Sequence, residues 1–180
     1  IFKRDDVNFE IFKKQVKSGS KVKAIVTKKT KDKPRSFFDN IDNWAKEQGA
    51  AGLAYFTFEK EKHIAGKGPI GKFFSEESLK EIMKIADAEI GDSIFLSCGM
   101  EENLYKILSI ARNKIAQDLK IIDENVFSFC WIVDYPMFEK DEKTKKIIFS
   151  HNPFSMPQGD IKNLNLKNPL EIKAYQYDIV

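Results

Sequence analysis

Residues 92–120 read DSIFLSCGMEENLYKILSIARNKIAQDLK and contain both kinds of element from which the fold is built. Asp92–Cys98, which contains the apolar residues Ile94, Phe95 and Leu96, predicts a strand. In Glu101–Lys120 the apolar residues recur at the spacing of one helix face, which predicts a long amphipathic helix. The apolar positions of this helix are Leu104, Ile107, Leu108, Ala111, Ile115 and Leu119.

The residues before this stretch predict three more helices and two more strands. Ser36 and Ser75 are predicted N-caps, because a serine hydroxyl accepts hydrogen bonds from the first-turn N–H groups. Gly49 and Gly91 are predicted to end the helices that follow these caps. A further helix is predicted within Asp6–Val16, and the two strands are Lys21–Thr27 and Gly52–Phe58. This order indicates an α+β fold, an antiparallel sheet covered by helices.

A change of character near Ile121 predicts a domain boundary, with one domain at residues 1–120 and another at residues 121–180. Val126–Tyr135 is almost wholly apolar, which predicts a strand buried on both faces of a larger sheet. Ile147–Phe149 is a second short predicted strand. Residues 121–180 are too few and too apolar to form a self-sufficient domain.

Composition excludes several classes of protein. No run approaches the roughly 18 apolar residues of a membrane span, and the first residues lack the apolar core of a signal peptide. The chain starts at Ile1 without Met and ends on the apolar Ile179 and Val180, so we expect both ends to be cut from a longer chain.

Cys98 and Cys130 lie in apolar runs and predict reduced, buried thiols rather than a disulfide or a zinc site.

A basic cluster occupies residues 21–35, where Asp32 is the only acidic residue. Such a cluster is compatible with phosphate binding. It is equally typical of a solvated strand edge, where lysines block unwanted pairing, and the sequence favours this second interpretation. The cluster consists of Lys21, Lys23, Lys28, Lys29, Lys31, Lys33 and Arg35.

A glycine-rich stretch, HIAGKGPIG, occupies His63–Gly71 and fits the bare GxGxxG pattern through Gly66, Gly68 and Gly71. Pro69 removes one of the N–H donors that a phosphate-binding loop needs. The pattern therefore predicts a plain mobile loop, with His63 exposed on it.

Seven segments in order give the sequence a resemblance to bacterial-type aspartyl-tRNA synthetases, which are class II enzymes. Four resemble the GAD domain that is inserted in the catalytic domain of these enzymes: GAAGLAYF (49–56), GPIGKFF (68–74), GDSIFL (91–96) and ARNKIAQDL (111–119). Three resemble the part of the antiparallel catalytic sheet that follows the insertion: WIVDYPMFE (131–139), SHNPFSMP (150–157) and AYQYDIV (174–180). The resemblance covers roughly residues 20–180.

The resemblance implies an activity for the parent enzyme. It would activate L-aspartate with ATP and Mg²⁺ and transfer the aspartyl group to tRNA, as a cytoplasmic homodimer without membrane association. The ATP-binding arginine motifs of the family lie before the insertion and after residue 180. The chain alone is therefore expected to be inactive, and it is expected to hold no catalytic residue and no metal ligand.

One substrate-binding residue follows from the resemblance. The family has two adjacent histidines before Pro-Phe, and the first contacts L-aspartate; His151 matches that position. An imidazole can donate a hydrogen bond to a substrate carboxylate, more strongly when protonated. The alternative is a loop histidine that packs beside Pro153 and Phe154. Asn152 replaces the second histidine of the family, which leaves the role of that second ring unassigned here.

Two other acidic residues receive structural interpretations. Asp134 and Asp178 are each expected to pair with a basic group at a strand end rather than to act as a general base.

An alternative function belongs to a different class. A GAD-like domain also occurs in a subunit of archaeal tRNA-dependent amidotransferases, where it would be a tRNA-binding module without ligase chemistry. A third interpretation is a folded scaffold that orients other parts of its protein. Residues 1–120 do not separate these alternatives, whereas WIVDYPMFE and HNPFSMP favour the synthetase.

Overall fold

A computed structural model of the chain describes residues 1–141, 143–150, 154–160 and 168–180, with Glu102 by its backbone alone. These residues form two compact units, Ile1–Ile122 and Asp123–Val180. None of the described helices is both long and apolar enough to cross a membrane.

The first unit is built on a four-stranded antiparallel sheet with the strand order β1-β4-β2-β3. Its strands are β1 (Lys21–Thr27), β2 (Ala54–Lys60), β3 (Ile64–Lys67) and β4 (Ser93–Gly99). Phe95 of β4 lies opposite Ile25 of β1 on one side and Tyr55 of β2 on the other. The predicted α+β architecture with an antiparallel sheet is confirmed.

Four helices cover the two faces of this sheet. They are α1 (Glu10–Lys17), α2 (Arg35–Glu47), α3 (Glu76–Ala86) and α4 (Glu101–Leu119). Side chains of β2 alternate between two cores, because successive residues of a strand point to opposite faces. Phe56 and Phe58 pack with residues of α1 and α3, whereas Tyr55 packs with residues of α2 and α4. Trp44 of α2 packs partly buried against this second core.

The helix boundaries confirm some of the predicted caps and correct others. Ser75 caps α3, because its Oγ accepts a hydrogen bond from the Ser78 N–H at 3.0 Å. The prediction that Ser36 caps α2 is wrong: Pro34 is the N-cap residue, and Ser36 lies inside the first turn. Gly49, with φ +87°, follows the last turn of α2 as predicted. The prediction for Gly91 is wrong, because α3 already ends at Ala86, and its C-cap residue Asp87 has a left-handed φ of +49°.

The glycine-rich stretch is ordered structure, so the prediction of a mobile loop over residues 63–71 is wrong. Ile64–Lys67 forms β3 and pairs with β2 in register from Lys60–Ile64 to Thr57–Lys67. A short 3₁₀ turn follows at Gly71–Phe73. His63, at the start of this stretch, is exposed as predicted and lies 3.1 Å from Glu76.

The described residues of the second unit form three antiparallel pairs of short strands and a 3₁₀ turn at Pro169–Glu171. Strands β5 (Trp131–Ile132) and β10 (Asp178–Ile179) form one pair, and β6 (Phe138–Lys140) and β7 (Ile147–Phe149) form another. The third pair is β8 (Met156–Pro157) with β9 (Ala174–Tyr175). The predicted strand at Ile147–Phe149 is confirmed.

The apolar run at residues 126–135 differs from its prediction as a long buried strand. Only Trp131–Ile132 is in a strand, paired on one side with β10. Phe127 is 84% exposed, Phe129 76% and Trp131 66%, since few described side chains pack over them. Cys130 is also exposed, which corrects its prediction as a buried thiol, whereas Cys98 is buried as predicted. Neither cysteine forms a disulfide.

Candidate functional site

His151, the residue expected to bind L-aspartate, lies outside the described residues together with Asn152 and Pro153. The chain that leads to it is defined. Strand β7 ends at Phe149, and the Ser150 N–H donates a hydrogen bond to the Met137 carbonyl at 3.0 Å. His151 therefore follows immediately after a hydrogen-bonded strand end, and its contact with substrate stays a prediction.

The two acidic residues of the second unit have hydrogen-bonding partners. Asp134 accepts from Gln158 Nε2 at 2.9 Å and forms an ion pair with Lys173 at 3.3 Å, so its expected pairing with a basic group is confirmed. These two donors hold the pKa of Asp134 below its usual value. Asp178 accepts from the Tyr135 hydroxyl at 2.6 Å, so the partner found for it is a hydroxyl rather than the expected cation.

A cavity of about 470 Å³ opens on the first unit between α2, β2 and the turn after β3. We call it the basic cleft, because five cationic side chains line it against one carboxylate. The lining residues are Lys31, Lys33, Arg35, Phe38, Tyr55, Thr57, Glu59, Lys67, Gly68, Pro69 and Lys72. The cleft joins two stretches far apart in sequence, the end of the basic cluster and the glycine-rich stretch.

Two of the five cations have acidic partners. Arg35 lies 3.2 Å from Asp39, and Lys67 lies 3.1 Å from Glu59. Both cations are exposed and both carboxylates are half-buried, so solvent weakens each attraction.

The other three cations have no acidic partner within the described part of the chain. Lys33 Nζ lies 5.8 Å from the centre of the Phe37 ring, and Lys72 Nζ lies 5.3 Å from the centre of the Phe73 ring. These rings attract the ammonium groups weakly and leave their charge uncompensated. Lys31 is the third. The cleft therefore carries an excess of positive charge.

The floor of the cleft is formed by buried hydroxyl groups that hydrogen-bond within the protein. The Tyr55 hydroxyl donates to Asp39 at 2.7 Å. Burial, reinforced by this bond to a carboxylate, raises the pKa of Tyr55 to about 12. Thr57 Oγ1 lies 3.1 Å from Ser93 Oγ, which accepts in turn from Thr30 Oγ1 at 2.8 Å. The floor is thus neutral and fixed, and the charge lies around it.

The basic cluster of residues 21–35 divides into three environments. Lys21 and Lys23 are exposed on β1, an edge strand of the sheet, which agrees with the interpretation as a protected strand edge. In the turn after β1, Lys28 forms an ion pair with Asp92 at 3.2 Å, and the neighbouring Lys29 is exposed. The last three cations, Lys31, Lys33 and Arg35, line the basic cleft.

Sequence reasoning missed Lys67 and Lys72 because the glycine pattern drew attention to the glycines rather than to the lysines between and after them. The signal that could have found them is the stretch GKGPIGK, in which one lysine precedes and one follows the segment GPIG.

Asp92 fixes the chain that leads from β1 to the cleft. Its carboxylate is 2% exposed and accepts hydrogen bonds from the Lys29 N–H at 2.9 Å and the Glu89 N–H at 2.8 Å. Burial by itself raises the pKa of Asp92, but these bonds and Lys28 outweigh it, so the pKa lies below its usual value. Lys29 has a φ of +54°, and the bond to Asp92 stabilises this left-handed turn.

A family model for the GAD domain matches residues 12–108, more than half of the chain. The chain belongs to the GAD domain family. The matched residues run from α1 into α4 and include the whole four-stranded sheet. The basic cleft is therefore a feature of the GAD domain.

Three curated relatives extend the comparison beyond the GAD domain. An aspartate–tRNA(Asp/Asn) ligase of Pelagibacter ubique (strain HTCC1062) is 74% identical over 180 residues, which is 100% of this chain and 30% of that relative. The ligase of the same description from Beijerinckia indica is 47% identical over 180 residues, 99% of this chain and 30% of the relative. That of Gluconobacter oxydans is 45% identical over 175 residues, 97% of this chain and 29% of the relative.

The chain thus spans about 30% of the length of these relatives. The resemblance to aspartyl-tRNA synthetases found in the sequence is confirmed by these matches, which cover both compact units.

Proposed function

We propose that this chain is part of an aspartate–tRNA ligase that activates L-aspartate with ATP and transfers it to tRNA. The observation that carries the proposal is the 74% identity to one such ligase over all 180 residues. The descriptions of the relatives name both tRNA(Asp) and tRNA(Asn), so both are candidate substrates.

The extent of the match supports the ligase over the amidotransferase module. A GAD domain by itself would account for residues 12–108 alone. The match to the relatives continues through Asp123–Val180, the unit that resembles the catalytic sheet of the synthetases. The exposed apolar run at residues 126–133 also fits a segment that other parts of a larger protein cover, because a contiguous exposed apolar patch marks a contact surface.

ATP and Mg²⁺ are proposed for the ligase rather than for this chain. Mg²⁺ in such enzymes is held by carboxylates and substrate phosphates. The part of the chain that the structure describes contains no group of three or more His, Cys, Asp or Glu residues placed to hold a metal ion. The cytoplasmic homodimer implied by the resemblance belongs to the same proposal.

We also propose that His151 donates a hydrogen bond to a carboxylate of bound L-aspartate. The support is the motif SHNPF at residues 150–154, together with the defined strand end at Phe149 that leads into it. A hydrogen bond to a charged group is worth about 1.5–3 kcal/mol. Loss of the His151 ring should therefore lower the rate of aspartate activation or raise the KM for aspartate about ten- to a hundredfold.

The test uses the full-length enzyme, with aspartate-dependent pyrophosphate exchange and charging of both tRNAs as readouts. We expect activity in the wild type and none in the 180-residue chain alone, because positioning of ATP supplies much of the rate. If the full-length wild type does not charge tRNA with aspartate, the proposed function is contradicted.

The histidine proposal has a matched control. The variant His151→Ala should change the KM for aspartate more than that for ATP, whereas His63→Ala, which removes an exposed ring of the GAD domain, should change neither. Melting curves of each variant separate a binding role from a packing role. A lowered melting temperature with normal aspartate kinetics in His151→Ala rules out the substrate contact.

A further inference from the structure

The basic cleft is not required by the proposed activity, since amino-acid activation takes place in the catalytic domain and the cleft lies within the GAD domain. The charge of the residues that line the cleft nevertheless favours binding of an anion. Five cations converge on one cavity, and three of them have no acidic partner among the described residues. Positive charges repel each other, so such a cluster of cations is stabilised when an anion binds between them.

The kind of anion follows from the way in which the charges are held. A small-molecule site usually fixes its ligand with a few buried, well-placed polar groups. Here the buried hydroxyls of Tyr55 and Thr57 already bond to Asp39 and Ser93. The charged groups are instead exposed side chains, with Arg35 82% and Lys67 74% exposed. Exposed cations around a neutral floor are suited to the successive phosphates of a polyanion.

We propose that the basic cleft binds phosphate groups of RNA, through Lys31, Lys33 and Lys72 in particular. Under the proposed function, on which the identity of the RNA rests, these are phosphodiesters of the tRNA substrate. The site is built from two segments: the chain leading into α2 supplies Lys31 and Lys33, and the turn after β3 supplies Lys72. Contacts of this type position the backbone of a nucleic acid and do not read its sequence.

The two segments are held in place by contacts that do not involve the side chains of the cleft lysines. The Lys31 N–H donates to the Gly91 carbonyl at 3.0 Å, which anchors the first segment to the chain just before β4. The second segment follows the close approach of the Gly66 and Gly71 backbones. The two backbone anchors do not depend on the lysine ammonium groups, so the site can be tested by substituting these lysines.

The experiment measures binding of a fluorescein-labelled tRNA(Asp) transcript to the 180-residue chain by anisotropy, over a series of salt concentrations. The test variant is Lys31→Gln/Lys33→Gln/Lys72→Gln. The control, Lys14→Gln/Lys17→Gln/Lys84→Gln, removes the same charge from lysines of α1 and α3, which cover the opposite face of the sheet. Melting curves establish that both variants are folded.

We expect the test variant to bind the transcript about tenfold or more weakly than the control at moderate salt. The slope of log K against log salt concentration should become shallower by about one for each lysine that no longer neutralises a phosphate. Equal affinity and equal salt slope in the two variants overturn the proposal.

Inorganic phosphate and AMP, titrated separately, distinguish a polyanion from a small phosphate ligand. If the test variant loses binding of either small ligand but retains that of the transcript, the cleft is a site for free phosphate and the proposal is wrong. Because binding is measured without aspartate or ATP, its failure is distinct from a failure of the ligase to charge tRNA.

Discussion

The backbones of Gly66 and Gly71 touch: a Cβ on Gly71 would stand 2.0 Å from the carbonyl oxygen of Gly66. In the opposite direction, a Cβ on Gly66 would stand 2.8 Å from the Cα of Gly71. Both obstacles are backbone atoms, which cannot rotate away as a side chain can. The glycines of GKGPIG thus close a tight turn rather than surround a phosphate.

The variant Gly71→Ala should destabilise the first unit by about 3 kcal/mol or more, since the added methyl group must displace backbone. The control is Gly99→Ala, because a Cβ at Gly99 meets no atom within 4 Å. We expect the control to change the free energy of unfolding by less than about 0.5 kcal/mol. Urea unfolding monitored by circular dichroism measures both, and similar stability of the two variants would show that the turn opens easily.

Asp92→Asn should destabilise the first unit by about 1–3 kcal/mol, because an amide presents an NH₂ group to one of the two backbone N–H donors. The folded-state pKa of Asp92 lies below its ordinary value of 3.8, so its contribution is present above that pH and is lost as the pH falls. The difference in the free energy of unfolding between wild type and Asp92→Asn should therefore be constant above about pH 5 and should become smaller below about pH 4.

Urea unfolding at neutral pH and at two acidic pH values, near 4 and near 3, measures this difference. Asp118→Asn, which removes an exposed i,i+4 partner of Lys114, is the control and should cost well under about 1 kcal/mol. A difference between wild type and Asp92→Asn that widens as the pH falls would contradict the assignment.

Tyr55 should titrate above the ordinary pKa of a tyrosine side chain while the chain is folded. Its pKa is raised to about 12 by burial and by Asp39, so the neutral phenol is favoured in the folded state. This contribution to stability is present below the ordinary pKa of 10 and is lost as the pH rises from there towards 12.

The measurement is the phenolate absorbance of wild type minus that of Tyr55→Phe, followed from neutral to alkaline pH. Asp39→Asn should shift the Tyr55 step to lower pH, since it removes the negative charge beside the phenol. An unchanged step would mean that burial accounts for the whole shift.

Residues 1–120 should survive limited proteolysis as a folded core, because the packed helices and the four-stranded sheet all lie within Ile1–Ile122. Cleavage is expected at the exposed residues 121–125, after α4 ends at Leu119. Mass spectrometry of the digest identifies the ends of the core. Early cuts throughout Lys21–Leu119 would show that the first unit does not fold independently.

Local patterns were sufficient for much of the first unit. Polar and apolar residues alternate in Lys21–Thr27, and apolar residues recur at helical spacing along α4. Each pattern indicates one buried face, so both elements were predicted within a residue of their observed bounds. Ser75 was also found, because a cap depends on the next three residues alone.

The failures have a common physical cause, which is dependence on distant residues. Strand β3 was missed because its pairing with β2 and the contact of Gly66 with Gly71 outweigh the weak strand propensity of IAGK. The run at residues 126–135 was predicted as buried from its composition, but burial requires neighbours that composition does not specify. The basic cleft joins residues 31–35 to residues 67–72, a proximity that only the sheet creates.

The chain has two tryptophans, and the division into units places one in each. Trp44 lies partly buried on α2, and Trp131 is 66% exposed on β5. Replacing either one by phenylalanine leaves a single intrinsic indole fluorophore that senses only its own surroundings. Trp44 then reports the melting of the sheet and its helices. Trp131, accessible to quenchers such as acrylamide, becomes an optical sensor for any polypeptide that binds over the apolar run at residues 126–133.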